Sequence, residues 1–261
     1  MVLVTGLADF LGQGPAGFIG GLPTLGAVNL LSIGLTTSTA AAVEATTLFP
    51  LGFGSTCAFL LFYAAPKTFG FRNRMLLALG LWLSMSAGIA FLAPADFALS
   101  VVGGFAIAFV ALFVRARVLT AKVAFVSTKP SARLTVMRGI LGGSAVTSVV
   151  LLSVLGGPVF GGVFAAAPAI WSSSLYVTSR TKGIEFSRSL TWTFMKTGVL
   201  TVMPYGIAAR FLFSAAGIWW GTLLSYISIS PLAFLAWKLN AKGGHPGAPL
   251  QVSLDRNASR G

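Results

Sequence analysis

The chain has 261 residues, 56% hydrophobic and 9% charged, with a mean hydropathy of +0.88 and a formal net charge of +13. A water-soluble domain carries about a quarter of its residues as Asp, Glu, Lys and Arg, so this composition excludes a soluble fold and reads as an integral membrane protein. The positive charge is not a nucleic-acid signature, because a basic patch needs a folded polar face on which to sit. Cys57, the single cysteine, excludes a disulfide framework and a thiolate metal site. The N-terminal MVLVTGLADF has no basic region and no small-residue cleavage pattern, and is not read as a removable signal peptide.

Cutting the apolar runs at Pro, Gly and charge clusters predicts the following elements in chain order. A first segment, 2–12, is interrupted by Asp9 and is short for a bilayer core of about 30 Å. Spans follow at 15–35, 43–65, 75–93, 97–114, 138–156, 158–179, 190–209 and 212–237. The expected fold is an all-α, polytopic membrane helix bundle of 8–9 transmembrane helices. A β-barrel is not expected, because the runs are apolar on every face instead of alternating. Residues 1–114 read as a first transmembrane repeat, 115–137 as a basic cytoplasmic loop, 138–237 as a second repeat and 238–261 as a disordered tail.

Sixteen of the eighteen basic residues fall in four places: Lys67, Arg72 and Arg74; Arg115 to Arg138; Arg180, Lys182 and Arg188; and the tail from Lys238. With these spans all four lie on one side, which the positive-inside rule makes cytoplasmic. A multi-pass cell-membrane protein with its C-terminus in the cytoplasm is expected. Tryptophans toward the span ends suit interfacial anchoring, some of them serving packing instead.

A shift of 145 residues superposes Pro23 on Pro168, Leu30 on Leu175, Thr36 on Thr181, Thr46 on Thr191, Phe49 on Phe194 and Thr56 on Thr201. It also aligns two glycine-rich turns that lead to a proline, GQGPAGFIGGLP (Gly12 to Pro23) and GGPVFGGVFAAAP (Gly156 to Pro168). An odd number of crossings separates them, so the two copies face opposite ways, as in the inverted repeats of secondary transporters. The loop holding Arg180, Lys182 and Arg188 has a counterpart, TTSTAAAVEATT, with no Lys or Arg, in keeping with that inversion.

Nothing resembles a catalytic set: His245 lies in the polar tail and the five carboxylates are scattered. No enzyme activity, cofactor, metal or nucleic acid is expected. Broken helices expose backbone N–H and C=O groups that can hold a solute. The substrate-binding candidates are therefore Gly20, Gly21, Pro23, Asn29, Glu44 and Thr46 in the first copy, with Gly161, Gly162, Pro168, Ser174 and Lys196 in the second. Packing of small residues is the alternative for the glycines, snorkelling for Lys196 and a helix-dipole role for Glu44. Hydroxyls, amides and few carboxylates suit a small anion or neutral solute. The expected function is a secondary transporter or exporter, the alternative a structural or accessory membrane subunit, and a third reading a channel. The expected partners are membrane lipid and a small-molecule or anionic solute, with a homo-oligomer or membrane complex left open.

Two resemblances follow from these motifs. GPVFGGVFAAAP through GIEFSRSLTW resembles small prokaryotic membrane proteins of the glycogen-accumulation membrane protein kind. GGLPTL, EATTLF and GFRNRM resemble the sulfite exporter (TauE/SafE) family, although its compact triple-Gly motif is broken up as GQGPAG and GGPVFGG and no Gly-Thr-Ser is present. The second resemblance implies export of small sulfur-containing or organic anions.

Overall fold

The structure, a computed structural model, describes residues 23–65, 68–118 and 132–241. The segment 2–12, Gly20, Gly21, most of the basic loop and the tail beyond 241 lie outside the described residues. Among the described residues the chain is all helical: α1 Thr24–Thr36, α2 Thr39–Ala45, α3 Phe49–Ala64, α4 Phe71–Leu92, α5 Phe97–Val118, α6 Ala132–Gly156, α7 Pro158–Ala165, α8 Ala169–Lys182 and α9 Ile184–Ala241.

Four stretches are long and apolar enough to cross a membrane: Phe71–Leu92, Phe97–Arg117, Pro158–Arg180 and Ile184–Leu239. The pair α2 and α3, bent by 48°, makes a fifth if taken as one span. The chain thus has the helices of a multi-pass membrane protein. Large apolar side chains face outward along them, including Phe91, Leu92, Phe109, Trp219 and Trp220. In water such a surface would be an aggregation hazard; against lipid tails it is the ordinary exterior.

Helix α3 lies at the centre. Its sequence is apolar on all sides, as in a helix buried in a core; Phe49, Phe53, Cys57, Phe59, Leu60 and Tyr63 are sealed from solvent, and Phe62 is the large side chain left exposed. It packs on α4, α5, α7 and α9. Small residues set the spacing. A Cβ on Gly52 would come within 2.6 Å of the Val163 carbonyl oxygen, and one on Gly54 within 3.1 Å of that of Gly104. With no hydrophobic drive between helices in lipid, such close backbone approach is what holds them together.

The runs expected as separate spans at 190–209 and 212–237 are joined in α9. At about 1.5 Å per residue its 58 residues would measure about 87 Å if straight, far beyond a bilayer core. The break comes at Gly217, with φ 74° and ψ 178°, a region open essentially only to glycine. Arg210 does not end the helix, because its guanidinium is met by Thr47 Oγ1 and by the Val43 carbonyl of α2. The run at 43–65 is likewise not one straight helix but the bent pair α2 and α3.

Candidate functional site

Pro23 and Pro168 stand immediately before α1 and α8 in nearly the same backbone state, φ −75° and ψ 46° against φ −79° and ψ 28°. Proline disfavours helical backbone in the residue before it and offers no N–H, so each marks a break. Neither helix has a side-chain cap, which leaves first-turn N–H groups without an intrahelical acceptor.

Both starts border one cavity of about 50 Å³, lined by Pro23, Thr24, Leu25 and Gly26 from the first and by Ala165, Ala166, Ala167, Pro168, Ile170 and Trp171 from the second. Phe53, Thr56 and Val202 complete the lining. A single water needs roughly 10–15 Å³ of such volume, so the cavity suits a solute of a few heavy atoms. Its lining contains three pairs of residues related by the 145-residue shift: Pro23 with Pro168, Leu25 with Ile170, and Gly26 with Trp171.

Contacts around the cavity repeat the same relation. The Phe49 ring lies over Gly26, and at the shifted positions Phe194 stacks on Trp171 with centroids 5.7 Å apart. Phe53 and Gly198, themselves 145 apart, touch one another. Phe49 lies against Gly206, Phe53 against Gly198 and the Ala64 carbonyl against Arg188, so α3 and the first limb of α9 run antiparallel.

The broken segment between α7 and α8 is held from the other half of the chain. Asn29 Nδ2 donates to the Ala165 carbonyl at 2.8 Å, and Thr56 Oγ1 donates to the Ala166 carbonyl at 2.6 Å. Both side chains and both alanines are buried, and Thr56, Ala165 and Ala166 stand in the cavity wall, so each carbonyl there has a donor fixed by the protein. Asn29 Oδ1 has no partner among the described residues.

The remaining sequence-chosen residues fall elsewhere. A Cβ on Gly162 would collide with the Ala45 carbonyl, and one on Gly161 would lie 2.5 Å from Ser153 Cβ. These two glycines seat α7 on α2 and α6 and do not line the cavity. Ser174 sits half-buried on α8, its carbonyl accepting from Thr178 Oγ1. Lys196 is half-buried with its ammonium 5.4 Å from the centroid of the Trp192 ring. Glu44 is exposed and, with Thr39, Thr47, Arg210, Ser214 and Gly217, borders an open groove of about 700 Å³. Thr46 is buried in the α2–α3 bend, within reach of Arg210.

At the other end of α3 stands a polar cluster that the apolar runs gave no sign of. Arg74, Arg115 and Arg188 are all buried. Arg188 Nε donates to the Ala64 carbonyl at 2.9 Å while its Nη1 meets both Glu185 oxygens, at 2.6 and 2.7 Å. Tyr63 and Ser187 share a hydrogen bond of 2.7 Å. This is the end that carries Arg180 and Lys182, and is called the basic end below. No group of three His, Cys, Asp or Glu side chains gathers among the described residues.

The chain matches no family model, no curated protein and no solved structure.

Proposed function

We propose that this chain is a secondary transporter or exporter of a small solute, with an anion preferred, working by alternating access between two inverted repeats of an eight- or nine-span bundle. The observation that carries the reading is the cavity: residues 145 apart in sequence line it together, and two uncapped helix starts border it. First-turn N–H groups and the helix dipole favour negative charge, and the lining brings no carboxylate. An accessory subunit held together by packing alone would have no reason to keep this space open.

On this reading residues 1–114 and 138–237 are the two repeats, joined by the basic segment 115–137, whose ends belong to α5 and α6, and the basic end and the tail face the cytoplasm of a cell-membrane protein. Gly20 and Gly21 stand in the sequence at the positions corresponding to Ala165 and Ala166. Asn29 and Thr56 hold the second break in place, and Ser174 and Thr201 are their counterparts. The groove beside Glu44 and Arg210 is the approach from the opposite face. The resemblance to the sulfite exporter family makes small sulfur-containing and organic anions the first solutes to offer.

The test is flux of sulfite, sulfate, halides and small organic acids in proteoliposomes, with and without a proton or sodium gradient. Saturable flux that Ala167→Phe removes, in protein that remains monodisperse, is the expected result; Ala167 lines the cavity, so the ring fills it. Gly161→Leu is unsuited to this purpose, because it strikes Ser153 and disturbs helix packing on any reading. Absence of flux for every solute from well-folded protein would overturn the proposal in favour of an accessory subunit.

A further inference from the structure

Thr46 and Thr191 stand 145 residues apart and make the same local bond. Thr46 Oγ1 donates to the Val43 carbonyl at 2.6 Å, and Thr191 Oγ1 donates to the Arg188 carbonyl at 2.7 Å. Each hydroxyl–carbonyl pair is then met by one guanidinium. Arg115, from the end of α5, donates through Nε to Thr191 Oγ1 at 3.0 Å and through Nη2 to the Arg188 carbonyl at 3.1 Å. Arg210, from α9, donates through Nη1 toward Thr46 Oγ1 and the Val43 carbonyl, both at 3.4 Å, and to Thr47 Oγ1 at 3.0 Å.

The two arginines are 95 residues apart and so are not themselves related by the shift. The same clamp has been built twice, from unrelated positions. Along α9, Thr191 and Arg210 are nineteen residues apart, or roughly 28 Å at the helical rise, which is close to the thickness of a bilayer core. Val202, which lines the cavity, falls between them.

The two clamps differ in tightness. At the basic end Arg115 and Thr191 are buried and their bonds are short. At the opposite end Arg210 is half-buried, two of its three bonds are long, and it borders the 700 Å³ groove. Resting on the transporter reading above, we propose that Arg115 and Arg210 are the two latches of the transport cycle: each locks one end of the bundle shut through the Thr–carbonyl pair of one repeat, and the structure has the basic latch fastened and the opposite one slack. They are positioning residues, acting on the helices that bound the cavity and not on the solute.

The test uses side-selective labelling of the full chain in oriented proteoliposomes, with Val202→Cys as the reporter in a Cys57→Ser background and a membrane-impermeant methanethiosulfonate as the probe. A buried bond to a charged group is strong enough to shift a two-state balance roughly tenfold or more when lost. Arg115→Gln is expected to raise labelling from the basic side by that factor and lower it from the other. Arg210→Gln is expected to do the reverse, by less, because that latch is already slack. If Arg115→Gln does not fold, Thr191→Val, which removes one acceptor and keeps the volume, carries the same expectation.

Labelling ratios unchanged in folded variants, or raised equally on both sides, would overturn the latch. The readout needs no substrate, so the two proposals fail separately. Flux with unaltered labelling removes the latch alone; side-selective labelling without flux for any solute keeps the locking of the two ends and removes its role in transport.

Discussion

Substituting Thr56 by valine removes one hydroxyl and almost no volume, and in this structure that hydroxyl is the donor given to the Ala166 carbonyl, at 2.6 Å, in the buried wall of the cavity. A buried carbonyl left without its donor costs about 1–3 kcal/mol. For a chain of this size each kcal/mol moves the melting temperature by roughly 2–4 °C, so Thr56→Val should melt about 2–12 °C below the parent. Cys57 supplies the assay: it is the single cysteine and is buried, so a thiol-reactive fluorogenic dye reads unfolding of the detergent-solubilised protein directly. Thr56→Ser keeps the donor and loses one methyl group, and should lie between the two. If Thr56→Val melts with the parent while Thr56→Ser falls, packing and not the hydrogen bond holds the break, and the account of the cavity wall given above is wrong.

Gly162→Ala places a methyl group against the backbone of Ala45, which has no flexible end to move; overpacking of this kind costs about 1–3 kcal/mol, and a smaller monodisperse peak in size exclusion is the expected sign. An unchanged peak would mean that α2 and α7 are less tightly apposed than described. Glu185→Gln should change the melting temperature little, since the carboxylate is 63% exposed and such pairs contribute at most about 1 kcal/mol. Arg188→Met should cost clearly more, because it also strips the Ala64 carbonyl of its donor; equal losses for the two variants would refute that ordering.

Much of the cavity was legible in the prolines. Pro23 and Pro168 mark the two breaks because the residue before a proline avoids helical backbone, a property local enough to read from letters. Glycine was a poorer guide: Gly161 and Gly162 mark where helices touch, whereas the cavity lining just before Pro168 is Ala165 to Ala167, which the sequence reading did not single out. Thr56 carried a signal in its match to Thr201, but its partner lies 110 residues away, and no periodicity predicts that pairing. Arg115 and Arg210 were harder still. In hydropathy a basic residue cuts a span, and the runs on either side of Arg210 were divided there. In space it is a side chain whose charge is met by Thr47, the Val43 carbonyl and the face of the Phe97 ring, 4.5 Å from the centroid, so the helix continues to Gly217.

The ties from Asn29 and Thr56 to the α7–α8 break also bear on biogenesis. Those donors lie 136 and 110 residues upstream of the carbonyls they serve, and chains are made from the N-terminus. When Ala165 and Ala166 leave the ribosome, the groups that will satisfy them have already been synthesised. The dependence runs one way: cut between α5 and α6, the downstream fragment would carry two backbone oxygens into lipid with no donor of its own, each costing several kcal/mol. Co-expression with the upstream fragment is then what would rescue it from the quality-control proteases.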